Sequence, residues 1–189
     1  TVDLLGSGYT LTAAGTNLTG TTSTAFRANT GSANRILLYT GDAQSATVNT
    51  AVATLPSVIV RDGNNNPVPG VDVTFAVASG GGTITGPVTT TNSSGIASVG
   101  GWTLGTTVGA NTLTATSNGL TGSPVTFSAT GLVGAAAKIA VLAGDAQTAT
   151  ANTAVTTAPS VILQDAHGNT VTQSGVAVRP GVGFGPSGE

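Results

Sequence analysis

The chain contains two copies of one long segment, and this internal repeat constrains its fold more than any other feature. The segment GDAQSATVNTAVATLPSVIVRDGNNNPV, which begins at Gly41, recurs from Gly144 as GDAQTATANTAVTTAPSVILQDAHGNTV, with 18 of 28 positions identical at an offset of 103. A second pair, YTLTAAGTNLTGTTSTAF from Tyr9 and NTLTATSNGLTGSPVTF from Asn111, is offset by 102 residues. A unit of about 100 residues that recurs in tandem is typical of an array of small domains.

The phase of the repeats predicts where the domains begin and end. Residues 1–33 resemble the C-terminal strands of a preceding repeat, residues 34–131 form one complete repeat, and residues 132–189 resemble the N-terminal part of a following one. The short joints at residues 31–34 and 135–137 predict a stiff rod. From about residue 179 the sequence leaves the repeat pattern, so we expect an atypical tail there.

Within the complete repeat, apolar and polar residues alternate with the period of two that a half-buried strand requires. Val73 and Phe75 alternate with Asp72 and Thr74, and similar runs lie near Leu113 and between residues 125 and 129. Gly-, Asn- and Pro-containing turns separate these runs, and no segment has helical periodicity with caps. The sequence therefore predicts an all-β fold, a sandwich of about seven short strands.

Composition excludes several classes of partner. Charged residues make up only 6% of the chain, against roughly 25% in typical soluble proteins. Five scattered basic residues form no stripe that could neutralise phosphates, so we expect no nucleic-acid partner. No apolar run is long enough to span a bilayer, so we expect no membrane insertion in this segment, and any targeting or anchoring segment is expected outside it. The absence of cysteine excludes disulfides and thiolate chemistry.

The ordered motifs GDAQSATV, SVIVRDGNNNPVPGVDVTFAV, SGGGTITG, SSGIASVGGWTLG and NTLTATSNGLTGSPVTFSATG, between Arg35 and Gly131, carry a family resemblance. This string resembles the bacterial immunoglobulin-like domain of group 1, the repeat of invasin- and intimin-type surface adhesins. The resemblance implies immunoglobulin-like β-sandwich repeats in tandem and a spacer or stalk that presents a distal binding module. It also implies a bacterial cell-surface location, outer-membrane-anchored or secreted, neighbouring Ig-like repeats as partners, and no catalytic residues to carry over.

Two equivalent loops place side-chain oxygens close together and are candidate cation sites. The first contains Asp62, Asn64 and Asn66, and the second contains Asp165 and Asn169. Calcium requires six to eight oxygen ligands, and the D-x-N-x-N spacing fits part of such a set but lacks a bidentate acid. The alternative, which we favour, is that Asp and Asn cap their own backbone in a tight turn, with no metal or other cofactor.

Four other residues invite a functional interpretation. Asp42 and Asp145 recur in GDAQ and could share an interdomain cation, although hydrogen bonds to backbone amides are the favoured explanation. Trp102 is the only tryptophan, and we expect it to fill the core rather than stack on a sugar. His167 is the only histidine, and no catalytic motif accompanies it, so we do not expect an enzyme.

Two alternatives to the spacer role remain open at this stage. Because the two flanks are complementary halves of a repeat, they could join head to tail between neighbouring molecules and cover each other's open edges. The chain could also bind a glycan, a host-cell protein or another surface protein through its loops or strand edges.

Overall fold

The computed structural model describes residues 5–179 and residue 181. These residues divide along the sequence into two compact units, with the boundary between Leu132 and Val133. They form strands, turns and loops, and among them there is no helix long and apolar enough to cross a membrane. The all-β prediction is confirmed.

The strands of the first unit follow one another at short intervals. In chain order they are β1 (Gly6–Tyr9), β2 (Thr12–Ala13), β3 (Thr21–Thr22), β4 (Phe26–Ala28), β5 (Ala33–Thr40), β6 (Gln44–Thr47), β7 (Ser57–Asp62), β8 (Asp72–Ser79), β9 (Thr83–Thr85), β10 (Val88–Thr90), β11 (Ile96–Ser98), β12 (Gly101–Thr103), β13 (Gly109–Thr116) and β14 (Val125–Leu132).

Residues 33–132 form a two-layer sandwich. One sheet has the strand order β10-β8-β13-β14-β6, the other has the order β11-β7-β5, and β12 pairs with β9. All these pairs are antiparallel except β14 with β6, which is parallel. The chain changes sheets between β5 and β6 at Gly41, where φ is +85° and an added Cβ would lie 2.7 Å from the backbone of Pro56. Only glycine fits this corner.

The core lies between the two sheets and follows the alternation seen in the sequence. Along β8, Val73 and Phe75 are buried while Asp72 and Thr74 are exposed. Alternate residues of β13 and β14 are likewise buried, and the rings of Phe75 and Phe127 lie 6.5 Å apart. Each fully buried Val, Leu or Phe contributes roughly 1.5–3 kcal/mol relative to an exposed side chain. The described hydrophobic core comprises Ile36, Val52, Val58, Val60, Val68, Val73, Phe75, Ala97, Val99, Trp102, Leu104, Leu113, Ala115, Val125, Phe127 and Ala129.

The residues before the sandwich form antiparallel hairpin pairs. Strand β1 pairs with β4, and β2 pairs with β3. In the complete repeat the equivalent segments are β13 and β14, which also pair antiparallel. The register differs, because Tyr9 lies opposite Phe26 whereas its equivalent Asn111 lies opposite Ala129. The assignment of residues 1–33 to the end of a preceding repeat stays a prediction.

The second unit begins like the sandwich does. Its strands are β15 (Lys138–Ala143) and β16 (Ser160–Gln164), which pair antiparallel. Ile139 lies opposite Leu163, just as Ile36 lies opposite Val60, and both ladders have the same irregularity near the end of the first strand. Residues 103 positions apart in the sequence therefore occupy equivalent positions in the β5–β7 and β15–β16 ladders.

The predicted domain limits at 33/34 and 131/132 stay predictions. The hairpins of residues 5–28 share a compact unit with the sandwich, and the second unit begins at residue 133. Of the tail expected from about residue 179, residue 180 and residues 182–189 lie outside the described residues.

Candidate functional site

The carboxylate of Asp62 is the centre of the first candidate loop. Asp62 ends β7 and is buried. Its Oδ1 accepts the backbone N–H groups of Asn64 at 2.9 Å and Asn66 at 2.8 Å. Its Oδ2 accepts the side-chain amide of Asn66 at 3.1 Å and the backbone N–H of Gly31 at 2.9 Å. The side chain thus closes its own loop and also holds a residue of the preceding joint.

These four bonds determine the charge state of Asp62. Burial raises the pKa of the carboxyl, because it disfavours the ionised form. The hydrogen bonds from the Asn66 side chain and from the amides of Gly31, Asn66 and Asn64 outweigh burial, so the net pKa is lowered. Asp62 is therefore an ionised acceptor over the whole neutral range.

Asp165 repeats the arrangement in the second unit. Its Oδ1 accepts the N–H groups of His167 and Asn169, each at 2.9 Å. Its Oδ2 accepts the Asn169 side-chain amide at 2.8 Å and the N–H of Gly134 at 3.1 Å. Burial raises its pKa, and these bonds again outweigh it and hold the pKa well below its usual range. We call Asp62 and Asp165 the joint aspartates.

Basic side chains outside the two loops donate hydrogen bonds to them. In the first loop the guanidinium of Arg35 donates to Asn65 Oδ1 at 2.6 Å, and that of Arg61 donates to the Asn65 carbonyl at 2.7 Å. In the second loop Lys138, which stands at the position of Arg35, donates to the Ala166 carbonyl at 2.7 Å. The two loops therefore have equivalent central aspartates, and each also accepts a hydrogen bond from a basic side chain.

The geometry of the joint aspartates bears on whether these loops could bind calcium, the possibility that the sequence does not favour. An ionised carboxylate has about four lone-pair positions, and in Asp62 four N–H donors occupy them. A cation at this position would have to displace hydrogen bonds that close the loop. Among the described residues, no group of three or more His, Asp or Glu side chains gathers. The candidate residues lie in the two loops as predicted: Asp62, Asn64, Asn66, Asp165 and Asn169. That they bind no metal stays a prediction.

Gln44 and Gln147 fix a second repeated corner. Gln44 Nε2 donates to the carbonyls of Gly41 and Thr54, each at 2.8 Å, and its Oε1 accepts the N–H of Thr54 at 2.8 Å. Gln147 makes the equivalent three bonds to Gly144 and Thr157. The sequence gives one signal for these glutamine hydrogen bonds: GDAQ recurs, each time with a Thr ten residues after the Gln.

Asp42 joins the two ends of the complete repeat. Its Oδ1 accepts the backbone N–H of Ser128 at 2.7 Å and the Ser128 hydroxyl at 2.9 Å. The bond from the Ser128 amide is the main reason that the pKa of Asp42 is lowered. In the second unit, Asp145 accepts the N–H of its neighbour Ala146 at 2.9 Å. Asp42 therefore accepts a hydrogen bond from a backbone amide, as the favoured explanation predicts. The amide belongs to Ser128, in a strand of the same repeat that is distant in the sequence.

Trp102 and His167 occupy different environments. Trp102 lies in β12, is 1% exposed and belongs to the core cluster, as expected from the sequence. Its indole nitrogen has no hydrogen-bond partner among the described residues. The His167 side chain is exposed, while its backbone N–H closes the turn on Asp165. Trp102 is therefore not available to stack on a sugar ring.

One described groove lies beside the first loop. It has a volume of about 360 Å³ and is lined by residues of β1 and β4, including Arg27, together with Pro67, Pro69 and Ser93. The groove is open to solvent and contains no pair of titratable groups. Its polar lining offers backbone and hydroxyl contacts, without a constellation for acid–base or nucleophilic chemistry.

Comparison with known proteins identifies the sandwich. Residues 39–130 match the family model of the bacterial Ig-like domain (group 1). Comparison with curated protein sequences gives no significant match.

Comparison with solved structures finds similar chains at low sequence identity. The chain is similar to FdeC, an adhesin of Escherichia coli, at 16% identity and a TM-score of 0.51, over 77% of this chain and 46% of that one. It is also similar to the D00-D0 domain of intimin, at 20% identity and a TM-score of 0.43, over 53% and 46% of the two chains. The surface layer protein SbsC, domains 4–9, matches at 19% identity and a TM-score of 0.41, over 82% and 24%. The chain spans less than half the length of each of these structures. The family match and the two-layer topology of residues 33–132 confirm the predicted immunoglobulin-like sandwich.

Proposed function

Because residues 39–130 belong to the bacterial Ig-like domain family, group 1, we propose that the chain is a spacer segment of a bacterial cell-surface adhesin. In this role tandem repeats form a stalk that presents a distal binding module, outside the cell and either anchored in the outer membrane or secreted. The partners of the segment are the neighbouring Ig-like repeats. A host-cell receptor or glycan would be bound by the distal module.

The repeated bond between a joint and the loop that follows it carries this proposal. Gly31 precedes the complete repeat and donates its N–H to Asp62, and Gly134 precedes β15 and donates to Asp165. A short joint with a free backbone would act as a flexible hinge. A joint whose amide is bonded to a buried carboxylate loses much of its backbone conformational freedom. Reduced freedom at each joint is what a stiff stalk requires.

The surface chemistry fits a mechanical role in an exposed location. Charged residues are scarce, and the exposed faces of β8, β13 and β14 present Thr and Ser hydroxyls. Without cysteine the fold depends on sheet pairing and core packing in place of disulfides. The role requires no reaction at the chain itself, and His167 is not assigned a catalytic function.

A glycan-binding role has less support. It would require an accessible Trp102, and this side chain is buried in the core. No other observation among the described residues favours that role over the spacer.

Small-angle X-ray scattering of a chain with three complete repeats in tandem tests the proposal. We expect the maximum dimension to grow in proportion to the number of repeats. A variant with Ala at every joint aspartate should scatter as a more flexible chain, whose dimension grows roughly as the square root of its length. If the unmodified array already scatters as flexible beads, the spacer role is wrong.

A further inference from the structure

Two of the five basic residues lie directly opposite each other on adjacent strands. Arg35 of β5 pairs with Arg61 of β7, and the next pair along this ladder, Ile36 with Val60, is buried in the core. Because successive side chains of a strand point to opposite faces, Arg35 and Arg61 project from the outer face of the sheet. Residues directly opposite each other have Cβ atoms roughly 4.5–5.5 Å apart. We call these two residues the arginine pair.

Both guanidinium groups converge on one loop residue. Arg35 donates to Asn65 Oδ1 at 2.6 Å, and Arg61 donates to the Asn65 carbonyl at 2.7 Å. Since both acceptors belong to Asn65, the charged ends of the two side chains lie as close together as their strands do. Both acceptors are neutral, and Asn65 is exposed. The loop surface therefore carries two adjacent positive charges.

The arginine pair has no acidic partner among the described residues. Neither guanidinium forms an ion pair with a carboxylate there. Asp62 follows Arg61 in the chain, but its carboxylate accepts its hydrogen bonds from the amides of its own loop and of Gly31. Like charges placed directly opposite each other on two strands are destabilising. A bound anion would remove this repulsion.

Most donors of the arginine pair are free to bind such an anion. A guanidinium carries five N–H groups in a planar fork, and each arginine uses one of them on Asn65. Both side chains are only half-buried, so solvent reaches part of each fork. Nε of Arg35 is buried without a hydrogen-bond partner in the described part of the chain. This shielding from water strengthens the attraction between the guanidinium and an anion at its open side.

The second copy of the loop shows that its support does not require two arginines. Lys138 stands at the position of Arg35, and Gln164 stands at the position of Arg61. The second loop has the same closure around Asp165, and Lys138 alone donates to it from outside. The second arginine of the complete repeat is therefore surplus to the closure of the loop. The doubled charge is a property of this one repeat.

We propose that the arginine pair is a binding site for a tetrahedral dianion, either sulfate or a phosphate group. A dianion matches the two positive charges, and its oxygens can accept from both forks at once. A monocarboxylate has one charge and two oxygens, so it satisfies the pair less well. The phosphate is either a free ion or part of a lipid headgroup. The site goes beyond the spacer role, and neither depends on the other.

An NMR titration of the full chain tests the proposal through the arginine Nε–H signals. Sodium sulfate and sodium phosphate are added separately, with sodium chloride at equal ionic strength as the reference. We expect saturable shifts of the Arg35 and Arg61 signals, with a Kd of about 1–10 mM for an open site with a few charge-assisted hydrogen bonds. The Arg27 signal should not shift in this way. Shifts that chloride reproduces, or no saturable shift, would overturn the proposal.

Substitutions copied from the second copy locate the bound ion. Arg61→Gln removes one charge and one fork and should raise the Kd for sulfate at least about tenfold. Arg35→Lys keeps the charge but loses the fork, so it should weaken binding less. Arg27→Gln removes a lone exposed arginine and should leave the Kd unchanged. Emission from buried Trp102 verifies that each variant is folded. Equal weakening by Arg27→Gln and Arg61→Gln would show general charge attraction and would overturn the site.

Sulfate should also stabilise the unmodified chain, because a ligand that binds only the folded state raises its stability. At 10-fold excess over its Kd, about 10–100 mM, the melting temperature should rise by a few degrees more than in Arg61→Gln, which corrects for the general effect of sulfate. An equal rise in both proteins would contradict a specific site.

Co-sedimentation with lipid vesicles distinguishes the two sources of phosphate. Vesicles of phosphatidylcholine with phosphatidic acid are compared with vesicles of phosphatidylcholine alone. Binding to the phosphatidic acid vesicles that Arg61→Gln abolishes would assign the site to a lipid headgroup. Binding of inorganic phosphate or sulfate without vesicle binding would assign it to the free ion. If neither the ions nor the vesicles bind in a way that depends on Arg61, the proposal is wrong.

Discussion

The Oδ2 of Asp62 accepts the backbone N–H of Gly31 at 2.9 Å, a bond between a buried loop carboxylate and a joint residue 31 positions earlier. The same carboxylate closes the loop through Asn64 and Asn66. Loop closure and joint attachment therefore depend on one side chain. Asp165 and Gly134 repeat the bond, also 31 positions apart, so it belongs to the repeat as a unit.

Removal of the joint carboxylate should destabilise the complete repeat. In Asp62→Ala the N–H groups of Gly31, Asn64 and Asn66 lose the carboxylate that closes the loop and holds the joint, and each hydrogen bond to a charged group contributes roughly 1.5–3 kcal/mol. We expect the melting temperature, followed by Trp102 emission, to fall by several degrees. Asp72→Ala removes an exposed carboxylate of the same domain and should leave it nearly unchanged. Equal effects of the two substitutions would contradict the role of Asp62.

Acid should weaken the chain through the same carboxylates. Burial raises the pKa of Asp62 and Asp165, and the N–H bonds more than reverse this, so each folded pKa lies below the unfolded value of about 3.9. A lowered pKa contributes stability that is present above the unfolded pKa and is lost as the pH falls through the folded pKa. Urea unfolding should therefore show constant stability from neutral pH to about pH 5 and a decline below it. In Asp62→Asn the decline for the sandwich should be shallower, and an unchanged decline would exclude Asp62 as a source.

Calcium should have little effect on stability. Four N–H donors already occupy the acceptor positions of Asp62, so a cation would bind only at the expense of the closed loop. We expect the same melting temperature in excess calcium and in excess chelator. A rise with calcium that disappears in Asp62→Ala would show that these loops are cation sites.

Equivalent phenylalanines should differ sharply in their contribution to stability. Phe127 is fully buried, and Phe127→Ala should cost about 3–5 kcal/mol, as is usual for a buried aromatic ring. Phe26 occupies the same repeat position in the N-terminal hairpins but is 37% exposed, with its ring centroid 5.8 Å from that of Tyr9, and Phe26→Ala should cost about 1 kcal/mol or less. Urea unfolding monitored by Trp102 emission measures both. Similar losses would mean that the hairpins already have a buried core.

The sandwich could be predicted from the sequence because its causes are local. Alternation at Val73 and Phe75 specifies which face of β8 is buried, and the positions of Gly and Pro specify where strands end. The repeat predicts that Ile36 and Ile139 have the same strand register, because similar strands joined by loops of equal length pair in the same way. Burial of Trp102 agrees with the general tendency of large aromatic side chains to lie in a core.

The joint bonds could not be predicted in this way. A glycine and an aspartate 31 residues apart carry no periodic signal, and their contact depends on how the intervening strands bring the loop back to the joint. The sequence predicted that Asp62 would cap its own loop, which accounts for the bonds to Asn64 and Asn66 only. The bond between Asp42 and Ser128 could not be predicted either, because the two residues lie 86 positions apart in the sequence.

Amide hydrogen exchange of Gly31 and Gly134, followed by NMR, tests most directly whether the joint aspartates hold the joints. We expect both amides to exchange far more slowly than those of an unstructured linker. Asp62→Asn should accelerate exchange at Gly31 and leave Gly134 protected, which makes the second joint an internal control. Fast exchange at both glycines in the unmodified chain would contradict the account, because the joints would then be free hinges.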